Sequence, residues 1–150
     1  MKKPDIIIGG CSVDDRGFVR HINDFDFKGI KRFYVVENHR PGFVRAWHGH
    51  KYESKWALVV EGSVYFKVAK VSDFSNPDQI TVGHHFTFNH NLPTILFIPA
   101  GWAHGYKTLT DKAKIIFFSD KTLEQSQKDD FRWQWNYFNV GGHKWEEDFR

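Results

Sequence analysis

The constraint that most limits this chain is its cadence of short apolar segments. Ten stretches rich in β-branched and aromatic residues follow one another, separated by turn-forming residues. They are predicted as strands over Asp5–Ile8, Gly17–Phe25, Lys31–Glu37, Gly42–Gly49, Lys55–Glu61, Ser63–Lys70, Ile80–Phe88, Thr94–Ile98, Ala103–Thr108 and Lys114–Ser119. Glu61-Gly62 supplies a tight hairpin turn, and Pro99-Ala100-Gly101 another. Helical periodicity is nearly absent. The best helix candidate is the polar run Thr122–Asp130, where Thr122 can cap and Gln125 follows three residues on, and it reads as one short surface helix. No repeat, low-complexity tract or long linker divides the 150 residues, so the chain reads as a single domain, residues 1–150. The fold class is all-β. Strands of this length and spacing imply an antiparallel sandwich or small barrel, such as a jelly roll. A barrel of that size has room for one small ligand between its sheets.

Composition narrows the function classes. Hydrophobic content of 41% supports a real core, and 17% aromatics suit strands and ligand-lining walls alike. The formal charge of +3 is too small to argue for nucleic acid, but it fits an anionic small ligand if the basic residues converge. Cys11 is the sole cysteine, which excludes an intramolecular disulfide and fits a reducing compartment. The N-terminal apolar run spans only Ile6 to Ile8, too short for a signal peptide, and nothing later approaches a membrane span. A cytoplasmic protein with neither nucleic-acid nor membrane partners is expected.

Three stretches can carry chemistry. RAWHGHKYESKW places Arg45, His48, His50 and Lys55 just ahead of a buried strand. Strand alternation puts Val44, Ala46, His48 and His50 on one face, with Phe43, Arg45 and Trp47 on the other, unless a bulge near Gly49 breaks the pattern. Two histidines so placed stand roughly 7 Å apart at their bases and can converge on one point. They suit a metal clamp, a proton-transfer site or a strand's solvent face. LFIPAGWAHGY repeats the layout, an apolar strand, a Pro-Gly turn, and then His104 at the start of the next strand. DDRGF places Arg16 before a strand, either as turn chemistry or as a planar fork for a phosphate.

Together, DDRGF, VEN, GFVRAWH, KWALVVEG and IPAGWAHGY resemble, in the same order, the signatures of the dTDP-4-dehydrorhamnose 3,5-epimerase family. That family is a cupin-type jelly roll acting on nucleotide sugars. KRFYVVE and RAWHGHK also resemble the nucleotide-sugar 3,4-ketoisomerases of the same fold. The resemblance implies an isomerase of a nucleotide-linked 4-keto-6-deoxyhexose, needing no cofactor and pairing as a homodimer. It implies that Arg16 and Arg45 grip the diphosphate and that Phe18 packs beside the ligand. His48 would be the base that removes a proton next to the ketone, and Lys55 would steady the enolate oxygen. Asn38 and His104 would line the pocket, with His50 a second acid/base group. Histidine is a base near neutral pH, and a lysine places positive charge where the enolate forms.

The chain departs from the epimerase pattern in three places. Where the family has a tyrosine acid, counting back from Trp133 reaches Thr122. The family's glutamate after R-G-F-F is Arg20, and the carboxylate that orients the base histidine has only Asp148 or Glu53 as stand-ins. His50, Tyr106 and Tyr52 are therefore candidate donors. A metal-dependent cupin with a His48, His50, Glu53 and His104 site is the alternative. Against it, Glu53 stands one residue short of the metal spacing, and Arg45 and Lys55 would repel a cation. Trp47, Trp56 and Trp102 are read as core, or else as a shelf for the nucleotide base. The aromatics of RWQWNYFN are read as covering a sheet or a partner, His84-His85 as exposed or at an interface, and KWEEDFR as a charged tail with an aromatic anchor.

Overall fold

The structure is a computed structural model that describes residues 2–146. Two five-stranded sheets face one another. The first has the order β1 (Asp5–Ile8), β10 (Thr94–Ile98), β6 (Lys55–Glu61), β12 (Lys114–Ser119), β4 (Arg32–Glu37). The second has the order β13 (Phe131–Arg132), β5 (Val44–Gly49), β11 (Trp102–Thr108), β7 (Ser63–Lys70), β9 (Gly83–Asn89). All pairings within these two sheets are antiparallel. This is the cupin-type jelly roll that the sequence predicts.

Alternation builds the core. In β6, Lys55, Ala57 and Val59 turn inward while Trp56, Leu58 and Val60 turn outward. Ala57 and Val59 meet Leu96, Ile98, Ile115 and Phe117 from the same sheet, and Val64, Phe66, Val68, Trp102 and Tyr106 from the facing one. Each large side chain buried here contributes about 1.5–3 kcal/mol. The same parity carries Lys55 into the inter-sheet space, on the core side of its strand.

A second apolar cluster holds Val44, Trp47, Ala69, Val71, Ala103, Phe138, Val140 and Trp145. Trp133, Trp135 and Tyr137 pack against it, so the aromatic run after residue 131 does cover a sheet, and Trp145 anchors the tail. Trp47 and Trp102 belong to the core, whereas Trp56 joins Phe25 and Phe97 on the outer face of the first sheet. His84 and His85 are exposed on β9.

Several boundaries move. The expected strand Gly17–Phe25 ends early as β3 (Gly17–His21), and it pairs with an unforeseen strand, β2 (Gly10–Asp14). Ile80–Phe88 is interrupted at Val82, whose carbonyl accepts from Lys70 N–H, leaving β8 (Ile80–Thr81) apart from β9. β8 pairs in parallel with β14 (Asn139–Val140). The hairpin turn at Gly62 has φ +73°, and a side chain there would run into the carbonyl of Lys112. The helix is α1 (Leu123–Gln127), closed by the foreseen Thr122–Gln125 capping box.

Candidate active site

The sheets part at one end to leave a cavity of about 340 Å³, within the range of small-ligand sites. Arg45, His48, His50, Lys55 and His104, five of the residues singled out in the sequence, line it together. Tyr106, one of the three candidate donors, lines it too.

A bulge in β5 makes this possible. His104 of β11 sits opposite His48, yet Tyr106, two residues on, sits opposite Arg45, three residues back. The extra residue falls in the Ala46–Trp47 segment rather than near Gly49. Trp47 exchanges backbone hydrogen bonds with Trp133 instead, and its ring enters the second core. The parity change lets Arg45 and His48 share the cavity, correcting the expectation that they lie on opposite faces. Gly105 fits across the bulge because a Cβ there would meet that of Ala46.

The lining is cationic. Arg32, Arg45, Lys55 and Arg132 face a single lining carboxylate, Asp130, which Arg132 already holds at 3.0 Å. Lys55 Nζ donates to Tyr34 Oη at 3.1 Å. Burial pushes the Tyr34 phenol up to about 12, so it carries its proton at neutral pH. Burial likewise raises Tyr106, whose ring lies 5.5 Å from Phe117. Burial lowers Lys55, against the opposing charge of Glu53.

All three cavity histidines are held neutral. Burial, then the charges of Arg132 and Lys55, lower His48 to about 4. Burial and Lys55 also lower His50, and the fully buried His104 is pushed well down by burial first. The His48 and His104 rings lie 5.9 Å apart. An NMR titration should therefore find His48 changing charge near pH 4. The folded chain then binds fewer protons than the unfolded one between about pH 6.5 and 4. The stability tied to His48 is complete above that window, falls as pH drops through it, and is flat below. A His48 titration near pH 6.5 would remove the burial that this behaviour requires.

The remaining predicted residues lie elsewhere. Asn38 accepts from Arg45 Nε at 2.7 Å through Oδ1, so it holds the arginine from outside the cavity lining. Arg16 and Phe18 sit on the exposed β2–β3 hairpin, with Arg16 paired to Asp14, and neither lines the cavity. Tyr52 is 71% exposed and is not a cavity donor. Arg20 bonds Asn91. Asp148 lies outside the described residues. Thr122 Oγ1 is used in capping α1. The helix is more than a surface element, since Leu123, Ser126 and Gln127 wall the cavity. Sequence reasoning gave no cavity role to Arg32, Tyr34 or Arg132, although inward parity in KRFYVVE does place Arg32 and Tyr34 on one face.

The metal alternative is not supported. Glu53 Oε1 accepts from Ser119 and Arg32, and Oε2 accepts from Ser126 and lies 3.1 Å from His50 Nδ1, and Glu53 does not line the cavity that holds His48 and His104. Among the described residues no three His, Cys, Asp or Glu side chains are grouped to hold an ion.

Comparison with known proteins agrees with this geometry. The family profile described as dTDP-4-dehydrorhamnose 3,5-epimerase matches residues 7–145. The spore coat polysaccharide biosynthesis protein SpsL of Bacillus subtilis is 26% identical over 140 residues, covering 91% of each chain. A dTDP-4-dehydrorhamnose 3,5-epimerase from Bacillus anthracis, solved with TDP and PPi bound, superposes with a TM-score of 0.73 at 19% identity, covering 89% of this chain and 79% of that one. The sugar 3,4-ketoisomerase QdtA from Thermoanaerobacterium thermosaccharolyticum, solved with TDP, gives 0.66 at 17% identity, covering 86% and 87%.

Proposed function

The chain belongs to the dTDP-4-dehydrorhamnose 3,5-epimerase family, and from this we propose that it isomerises a nucleotide-linked 4-keto-6-deoxyhexose by moving protons next to the ketone. One observation carries the reading: neutral imidazoles and a lysine–tyrosine pair share a cavity whose other charges are mostly arginine. His48 is the base, Lys55 steadies the enolate oxygen, and Arg45, held by Asn38, meets the diphosphate. His104 shapes the wall. Relatives that bind TDP, or that are named for spore coat polysaccharide biosynthesis, support a role in deoxysugar supply for surface polysaccharide.

Epimerisation at C3, C5 or both is the preferred reaction. Ketone migration between C3 and C4 is the second reading. It is favoured by Thr122 standing where the family's tyrosine would be, and by Tyr34 and His50 both lining the cavity. Incubation with TDP-4-keto-6-deoxyglucose in deuterated water tests both. Deuterium at C3 or C5 with inversion supports epimerisation, a relocated ketone supports the second reading, and binding without any exchange defeats both.

A homodimer completes the proposal. On the outward face of the first sheet Phe33 is 65% and Val35 52% exposed, and Val60, on β6 beyond β12, is exposed as well. The β2–β3 hairpin adds exposed Val13, Phe18 and Val19. A patch of this kind marks an interface. With Arg16 and Phe18 outside their own cavity, their ligand contacts are assigned to the cavity of a second copy. Replacing Phe33 and Val35 together by Asp is expected to turn a dimer into a monomer in sedimentation, whereas a monomeric parent protein would defeat the assignment.

A further inference from the structure

We infer that Trp47 is a positioning residue: its indole, turned away from the cavity and clamped by residues 133–145, holds Arg45 and His48 side by side on the cavity face. The functional side of this role rests on the nucleotide-sugar reading above. Residues three apart on a regular strand face opposite sides. Arg45 and His48 are three apart, yet both line the cavity. The two residues between them therefore turn the same way, outward. Ala46 and Trp47 both pack in the second apolar cluster, and a Cβ on Gly105, across the bulge, would fall 2.4 Å from Ala46 Cβ. Bulges of this kind re-aim side chains next to active sites.

The clamp comes from one segment. Trp47 N–H donates to the Trp133 carbonyl at 2.9 Å, and Trp133 N–H returns the bond at 3.1 Å. Trp47 Nε1–H donates to the Trp135 carbonyl at 3.0 Å. Phe138 meets the indole edge-on, with centroids 5.3 Å apart, and Trp145 lies against it at 6.0 Å. Trp47 is left 1% exposed and Trp145 3%. The Trp145 indole also covers the bulge from outside, since its Nε1 stands 3.1 Å from where a Gly105 side chain would begin. A buried indole with its N–H satisfied is fixed in place, and the backbone beneath it is fixed with it.

The consequence reaches the cavity on both sides of Trp47. Asn38 holds the guanidinium of Arg45 through Nε, whereas Trp47 holds the backbone that carries it. The clamping segment continues from Arg132, which pairs in register with His48 and lines the cavity. One anchor thus sets the spacing of Arg45, His48 and Arg132. Trp47 does not itself line the cavity, so it acts only through its neighbours. Without the indole the strand can return to plain alternation, which removes either Arg45 or His48 from the cavity face.

Trp47→Ala and Trp47→Phe are compared with Phe88→Leu, a change in the other core, where the ring packs on Phe66 and Phe86. TDP affinity by calorimetry reads the placement of Arg45. The His48 titration in 15N-histidine-labelled protein, its signals identified by their loss in His48→Asn, reads how deep that ring sits. In Trp47→Ala, TDP binding should weaken about tenfold or more, and His48 should titrate above about pH 5 because its ring gains water. Trp47→Phe refills the site with a ring, and both readings should return to within about threefold and about half a pH unit of wild type. Phe88→Leu should move neither, whatever its melting temperature. A Trp47→Ala protein that binds TDP within threefold of wild type and keeps His48 near its original titration overturns the role. So does a Phe88→Leu protein showing the same two shifts, which would make them general loosening. Should Trp47→Ala not fold, Trp145→Ala at the outer end of the clamp takes its place: weaker TDP binding with a raised His48 titration supports the role, and no change in either defeats it. A wild-type protein that binds no TDP would refute the nucleotide-sugar reading instead, and the His48 titration would still decide the clamp.

Discussion

Replacing His48 by Asn is expected to abolish deuterium incorporation into a 4-keto nucleotide sugar while leaving its binding within a few-fold. Asn keeps a polar side chain of similar reach but cannot take up a proton near neutral pH. A positioned general base is worth about 10²–10⁴-fold. Affinity should survive because the cations suited to the diphosphate, Arg45 among them, are separate side chains. The unchanged ring environment of His104, 5.9 Å away, would show in its NMR signals that the cavity keeps its shape. Exchange is read by mass spectrometry in deuterated water and binding by calorimetry. Exchange at the wild-type rate would strip His48 of its role and pass it to His50, the other cavity imidazole on this segment. Loss of binding in parallel with exchange would make His48 a ligand contact instead of a base.

What the sequence disclosed about this site followed local rules, and what it hid followed non-local ones. The inward column Lys55, Ala57, Val59 is plain from alternation, and the Pro99–Gly101 turn places His104 at a strand end by turn chemistry alone. Alternation alone puts Arg45 on the face opposite His48; the bulge that brings both into the cavity falls at Ala46–Trp47, where Trp47 pairs with Trp133, 86 positions further along the chain. The one-residue spacing argument against Glu53 as a metal ligand holds only along a continuous strand. Residues 51–53 instead form a turn held by Asp129, so strand parity does not apply to them. The strand Gly10–Asp14 leaves no signal in the sequence because four of its five residues are exposed, and the apolar pattern that reveals other strands is absent. Arg132 enters the cavity from a two-residue strand whose only register is with Gly49 and His48. No local periodicity marks such a segment. The core strands were legible because burial writes itself into sequence, whereas the cavity draws on contacts between distant segments.

Lys55→Met is expected to cut kcat by about 10³-fold with KM within a few-fold and little change in melting temperature. Methionine preserves the length and apolar stem of a side chain that is only 7% exposed, so the packing beside Ala57 should hold. What disappears is a fixed positive charge, together with a donor to Tyr34 Oη. The ground-state ketone is neutral and gains little from that charge, whereas the enolate oxygen is anionic and gains most. Groups preorganised for a developing oxyanion are worth about 10²–10³-fold in kcat each, and 10³-fold corresponds to about 4 kcal/mol. The upper end is expected here because the ammonium is buried, where charge–charge interactions are strong. Stability should change little because two effects oppose one another. A desolvated cation is removed, which favours the fold, and Glu53 loses a charge 3.9 Å away, which disfavours it. Glu53 keeps Ser119, Ser126, Arg32 and His50, so it is not left unpaired. Tyr34→Phe should cost only about tenfold, since it removes a neutral phenol bonded to the ammonium while the charge itself remains. A Lys55→Met enzyme retaining kcat within tenfold of wild type would mean that an arginine, most directly Arg32 or Arg132, stabilises the enolate. A collapsed melting temperature would mean instead that the ammonium is a structural partner of Glu53.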